Sequence, residues 1–276
     1  MKPPEPTSSE SASEGERIAK VMARAGLCSR REAEAWILAS RVKVNGVKIA
    51  SPALNVTDDD VITIDGKPLP IKQKTRLWRY HKPRGLLTAS SDPRGRATVF
   101  ENLPASLPRV VSVGRLDLNS EGLLLLTNDG GLKRQLELPS TGWVRRYRVR
   151  VNGQVDPRNL SELGRGVTVD DVRYGKVQAT LDRQKGDNAW LTMALSEGKN
   201  REIRKLCAHF GWTVNRLIRV SYGPFQLGHL EAGAVDEVVG KVLKEQLGVG
   251  TERAGKPQAA GQTETKPDHA DRRRKS

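Results

Sequence analysis

The sequence predicts an α+β chain in two units: a small helix-and-hairpin unit, then a larger one on a mixed, mainly antiparallel sheet with flanking helices. Three observations lead there. Near the N-terminus, two short helical periodicities run into an alternating segment broken by Asn45-Gly46. From about Leu77 to Gly248, short β-branched runs outnumber helical segments. The regular strand-helix alternation and the glycine fingerprint of a dinucleotide fold are both missing. A length of 276 residues lets each unit bury its own core.

Residues 1–14 are rich in Pro, Ser and Glu, carry no apolar period and read as a disordered arm. Ile18, Val21, Met22 and Ala25 then recur at helical spacing until Gly26. Ser29 followed by Glu32 is a capping box that starts a second helix at Arg30, with Ala33, Trp36 and Ile37 on its inner face. Val42 to Ile49 alternates around Asn45-Gly46 as a hairpin, and Val61 to Ile64 before Asp65-Gly66 adds a strand and a turn. These elements make one unit over residues 15–75. The second unit, residues 76–248, has strands predicted at Gly122–Thr127, Arg146–Val151, Val177–Leu181, Trp190–Leu195 and Val214–Val220. Its helices are predicted near Leu132–Leu138, Asn159–Leu163 and Arg201–Phe210. Residues 249–276 read as a disordered basic tail ending in Arg272, Arg273, Arg274 and Lys275, either solvated or loosely holding phosphates.

Lysine and arginine number 47 against 32 acidic residues, a formal charge of +15. That points to a polyanionic partner such as nucleic acid, though charge that only aids solubility has the same signature. No apolar run resembles a signal-peptide core or approaches the ~20 residues that cross a bilayer, so a soluble cytoplasmic protein is expected. Cys28 and Cys207 stand alone and none of the four histidines is at ligand spacing, so neither a metal site nor a disulfide is expected.

Arg30 and Arg31 lie in the first turn of a helix, where the macrodipole disfavours cations. With Arg24, Arg41, Lys43 and Lys48 they form either a surface for RNA phosphates or a solvated face. In the larger unit the polar segment Val113–Gly122 precedes the apolar run Leu123–Leu126. Asp117 within it either closes a turn or is presented for chemistry. Tyr147, between Arg146 and Arg148, is either a core aromatic or a ring on which a base stacks. In the turn and helix start from Glu197 to Leu206, Ile203 and Leu206 point inward while Arg201, Arg204 and Lys205 bring positive charge. An arginine there can hold a carboxylate ionised and oriented.

Gly-x-x-Ser-Arg-Arg-Glu-Ala-Glu followed by Arg-Val-Lys-Val-Asn-Gly, over residues 16–62, resembles the S4 RNA-binding domain. Further on stand Gly-Arg-Leu-Asp-x-x-Ser-x-Gly-Leu-Leu-Leu-Leu-Thr-Asn-Asp-Gly, Lys-Pro-x-Gly from Lys82 and Arg-x-Thr-Val-Phe from Arg96. Glu-Gly-Lys-Asn-Arg-Glu-Ile-Arg and Arg219-Val220-x-Tyr222-Gly223 complete the set. Together they resemble the RsuA/RluB branch of the pseudouridine synthases across residues 16–240, nearest its large-subunit member. The resemblance implies Asp117 as the catalytic carboxylate, Tyr147 packed on the target uracil and Arg204 as the ionic partner of Asp117. It implies Arg115 as the side chain that fills the space left by the flipped base, and Arg30, Arg31 and Lys43 as RNA-binding residues. It also implies a uridine of ribosomal RNA as target, in the peptidyl-transferase region of 23S RNA, and neither metal, nucleotide nor other cofactor. A small-subunit or transfer RNA uridine is the alternative, since those branches share the motifs; a monomer is expected. Two rival readings are a non-catalytic RNA-binding or ribosome-assembly factor, and a hydrolase pairing Asp117 with Glu121.

Overall fold

The computed structural model describes residues 15–71 and 73–247, so the arm and the basic tail expected from composition lie outside the described residues. The small unit comprises β1 (Glu16–Arg17), α1 (Ile18–Arg24), α2 (Arg30–Leu38), β2 (Val42–Val44), β3 (Val47–Lys48), β4 (Asn55–Val56), β5 (Ile62–Ile64) and β6 (Lys67–Pro68). Strands pair in the order β3-β2-β5-β6, with β1 on β4. Ser29 and Glu32 close the capping box: the hydroxyl accepts from the Glu32 amide at 3.1 Å and the carboxylate from the Ser29 amide at 2.6 Å. Asn45 and Gly46 both take positive φ, 51° and 82°, as a two-residue hairpin turn requires. Ile18, Met22, Ala33, Ile37, Val42 and Ile62 fill one core between the helices and the sheet. Trp36 is only half-buried, beneath the Arg41 guanidinium at 4.9 Å.

The larger unit opens with β7 (Leu77–Lys82), β8 (Val111–Val113), β9 (Glu121–Thr127), α3 (Gly130–Glu137), β10 (Arg145–Asn152), α4 (Pro157–Arg165), β11 (Thr168–Val169) and β12 (Val172–Arg173). It continues through β13 (Gln178–Lys185), β14 (Asn188–Leu195), α5 (Glu202–His209), β15 (Thr213–Tyr222), β16 (Phe225–Gln226), β17 (Val235–Glu237) and α6 (Gly240–Leu247). One sheet runs β13-β14-β10-β15-β9-β7-β17, with β8 beside β9 and β16 beside β15. Every pairing is antiparallel except β15 with β9, where Ile218 faces Glu121 and Arg219 faces Gly122. No helix among the described residues is long and apolar enough to cross a membrane.

Alternation decides which face each layer covers. Val149, Val151, Leu191, Met193 and Leu217 turn toward Leu163 of α4 and toward Ile203 and Leu206 of α5. In β9 both faces are covered: Leu123 and Leu125 pack on α3 and α6, and Leu124 and Leu126 on Trp78, Tyr80 and Leu116. A strand buried on both sides needs an unbroken apolar run, which is why the four leucines are consecutive. The expected strands and helices are present with ends displaced by a few residues, and β7 was not foreseen. Its sequence Leu-Trp-Arg-Tyr-His-Lys alternates, but it ends on a lysine that proves to be buried.

At the parallel join Gly122 has φ +104°, and a Cβ there would lie 2.3 Å from the Arg219 carbonyl oxygen. Gly122→Ala must therefore strain the backbone and part β9 from β15, for an expected loss of about 3 kcal/mol. Urea unfolding checks this as a lower midpoint at unchanged slope; an unchanged midpoint would show that the join yields freely.

Candidate active site

The segment between β8 and β9 carries Asp117, and its backbone is fixed from several directions. Five successive carbonyls each accept a hydrogen bond. Leu116 accepts from the Thr88 hydroxyl at 2.9 Å, Asp117 from the Ser120 amide at 3.0 Å and Leu118 from the Gly85 amide at 2.8 Å. Asn119 accepts from Arg204 Nη2 at 3.0 Å and Ser120 from Lys82 Nζ at 2.9 Å. Asp117 thus closes its turn through its backbone, and its carboxylate is left to face a cavity of about 250 Å³. A catalytic group is useful only if its surroundings hold it to within a fraction of an ångström, and this bonding pattern supplies such a hold.

Lys82, the first residue of the Lys-Pro-x-Gly motif, has a role its sequence context does not announce. It is fully buried at the end of β7, and Nζ donates to Pro83 and Ser120, both at 2.9 Å. Burial pulls its pKa down to about 8, against the opposing pull of the Asp117 and Glu121 charges. The sign follows from proton binding: between pH 8 and the ordinary lysine value the unfolded chain holds more protons, so stability rises with pH across that window. Lys82→Met should remove this rise, read as urea midpoints from pH 8 to 10.5 for both proteins. Parallel curves would show that Lys82 titrates normally in the fold. Gly85, from the same Lys-Pro-x-Gly motif, donates to Leu118, so both ends of the motif hold the Asp117 segment.

Tyr147 stands on β10 opposite Arg219 of β15, half-buried, and lines the same cavity as Asp117. Arg115 lies exposed on its wall. Arg145, which lines the same cavity, donates to the Ser196 carbonyl at 2.6 Å and to the Tyr222 hydroxyl at 2.9 Å. The expected Asp117–Arg204 pair requires correction. The cation beside the carboxylate is Arg201, with Nη1 3.7 Å from Oδ2. Arg204 is not on the cavity wall; it donates to Val214 at 3.2 Å and to Asn119, and Asp117 reaches it only through its field. Partial burial favours this, because a guanidinium taken out of water seeks acceptors close by: the Val214 and Asn119 carbonyls meet Nη1 and Nη2, while Nε has no partner among the described residues. That burial, with Arg201 next to it, holds the Arg204 pKa below the ordinary arginine value.

Glu202, Ser120 and Arg219 also line the cavity and escaped the sequence reading as site residues. All three are buried, and Glu202 Oε1, Ser120 Oγ and Arg219 Nη2 have no partner among the described residues. Burial raises the Glu202 pKa. Their signal was present in the quoted motifs, but which polar side chains turn inward is a matter of packing. Glu121, the carboxylate of the hydrolase reading, is bound to Arg216 at 2.5 Å and lies in the same row as Ile218, on the sheet face away from Tyr147. It cannot serve as a second acid for Asp117. Arg30, Arg31 and Lys43 are exposed on the small unit, apart from the cavity, whereas Arg24 and Arg41 are paired to Glu16 and Asp65.

Residues 76–209 match the family described as RNA pseudouridylate synthase, and residues 16–62 match the S4 domain. A Rickettsia felis protein named as an uncharacterized RNA pseudouridine synthase is 48% identical over 83% of this chain and 100% of its own length. A Yersinia pestis protein named ribosomal large subunit pseudouridine synthase B is 43% identical over 77% of this chain and 69% of its own length. A solved structure described as a pseudouridylate synthase shares the fold, with a TM-score of 0.58 at 23% identity over 83% of this chain and 98% of that one.

Proposed function

The chain belongs to the RNA pseudouridine synthases, and from that premise we propose that its substrate is a uridine of ribosomal RNA, in the large subunit, modified in the cytoplasm. The reading is supported by relatives named ribosomal large subunit pseudouridine synthase and by the basic S4 unit. The reaction breaks the bond between N1 and the sugar, turns the base and joins C5 to the same carbon. The C5 proton leaves and N1 gains one, so the net composition is unchanged.

The observation that carries the site assignment is the cavity shared by Asp117 and Tyr147. In this reading the uridine leaves its stack, at a cost of a few kcal/mol, and its base lies on the Tyr147 ring. Arg115 on the cavity wall occupies the vacated space. Asp117, with Arg201 Nη1 3.7 Å from its carboxylate, acts on the sugar as nucleophile or as base. Arg204 and Lys82 hold the segment that carries it, and Arg30, Arg31 and Lys43 meet phosphates from the small unit.

The test is incubation of the purified protein with separate 23S, 16S and transfer RNA transcripts, followed by nucleoside analysis. Pseudouridine appearing in the 23S transcript supports the assignment. Product confined to another RNA would overturn the choice of substrate.

A further inference from the structure

β10 reads Arg-Arg-Tyr-Arg-Val-Arg-Val-Asn, and alternation sends Tyr147, Val149 and Val151 to the covered face. Arg146, Arg148 and Arg150 therefore stand on the other face, and all three are exposed. Cross-strand register extends the pattern: Arg150 pairs with Trp190 on one side and Arg216 on the other, and Trp190 pairs in turn with Arg183. One row across four strands thus reads Arg183, Trp190, Arg150, Arg216. Lys185 continues it at the next position of β13 facing the same way. The carboxylates on this face are Asp182, 3.9 Å from Arg148, and Glu121, bound to Arg216.

Such an arrangement is unfavourable for the isolated protein. Arg150 and Arg216 are direct cross-strand partners, and like charges in that relation are destabilising. Over β10 and β14 the covering helices, α4 and α5, lie on the opposite face with the cavity, whereas on the arginine side α3 and α6 pack at the β9 end, against Leu123, Leu125 and Ile218. The single large aromatic here, Trp190, is half-buried with the Arg148 guanidinium 4.9 Å from its ring, a stacked cation and ring of the kind that also accepts a nucleobase.

We infer that this arginine face of β13, β14, β10 and β15 is a second RNA-binding surface, which holds a segment of the substrate distant from the flipped uridine. The inference rests on RNA being the substrate. It assigns to the back of the sheet a role separate from both the cavity and the S4 unit. Planar arginine forks beside a tryptophan favour nucleic acid over an acidic protein, because guanidinium planes and an indole ring both stack on bases, which an acidic peptide does not offer. Arg146, Arg148 and Arg150 recur about 6.6 Å apart along their strand, a spacing that lets each meet a different phosphate.

The experiment compares wild type with a variant carrying Arg146→Ser, Arg148→Ser and Arg150→Ser, using an in vitro 23S transcript as probe. Each lost phosphate contact should lower the slope of log affinity against log salt by about 0.7–0.9, so the slope should fall by about 2–3. Affinity near 150 mM salt should weaken about tenfold or more, with turnover at saturating RNA unchanged. Melting temperature should not fall, since the Arg150–Arg216 repulsion is relieved. The same three positions changed to lysine should keep the slope, because ammonium groups still displace counterions. If the serine variant folds poorly, Arg183→Ala with Lys185→Ala, on the edge strand, should still lower the slope by about 1–2. Unchanged affinity and slope in a folded serine or alanine variant would overturn the inference, as would a lysine variant that loses as much as the serine one. If ribosomal RNA is not the substrate, wild type itself forms no pseudouridine in the transcript; failure of this inference alone leaves that activity intact.

Discussion

Asp117→Asn should abolish isomerisation, with a fall on the order of 10⁴-fold in the single-turnover rate, while affinity for RNA stays within a few-fold. Asparagine keeps the size of the side chain and removes only its charge. The five hydrogen bonds that fix residues 116–120 are accepted by backbone carbonyls, so the substitution leaves the segment in place. A loss of rate is then a loss of chemistry rather than of structure. Turnover near wild type would remove Asp117 from the reaction, whatever its position in the cavity.

Arg204→Met and Arg201→Met should separate the tether from the ion pair. Arg204 anchors the Asp117 segment through Asn119, and a displacement of about 1 Å at a reacting group can cost roughly 100-fold in rate. A drop of about that size is expected at saturating RNA. Arg204→Lys should fall between, since an ammonium cannot span Asn119 and Val214 as the planar fork does. Arg201 is half-exposed and 3.7 Å from the carboxylate, so its loss should cost only about fivefold. Single-turnover rates at saturating substrate decide between them. A larger loss at Arg201 than at Arg204 would show that the direct ion pair dominates and that the tether is secondary.

The two arginines also show where sequence reasoning stops. The segment from Glu197 to Leu206 is legible as a turn running into a helix, with Ile203 and Leu206 inward, and the structure buries both. Which arginine meets Asp117 depends on the left-handed backbone of Arg201, with φ 52°, and on carbonyls supplied by Asn119 and Val214. None of these is local in sequence. The same limit hid Lys82: charged residues at strand ends are usually solvated, and only the fold shows that two carbonyls make its burial tolerable. Features set by short-range pattern were legible, such as the capping box at Ser29, the Asn45-Gly46 turn, the apolar run of β9 and the arginine alternation of β10. Those set by the meeting of distant segments were not, including the parallel join of β9 to β15 and the inward turn of Glu202 and Arg219.

The central claim, that Asp117 isomerises a uridine of large-subunit RNA, is tested most directly by mapping pseudouridines across all ribosomal RNA. The cells should lack the gene and be resupplied with either the wild-type protein or Asp117→Asn. The account predicts that one large-subunit position is unmodified without the gene, regains pseudouridine with the wild-type protein and stays uridine with the variant. An unchanged map in the deleted cells, or restoration by Asp117→Asn, would contradict it.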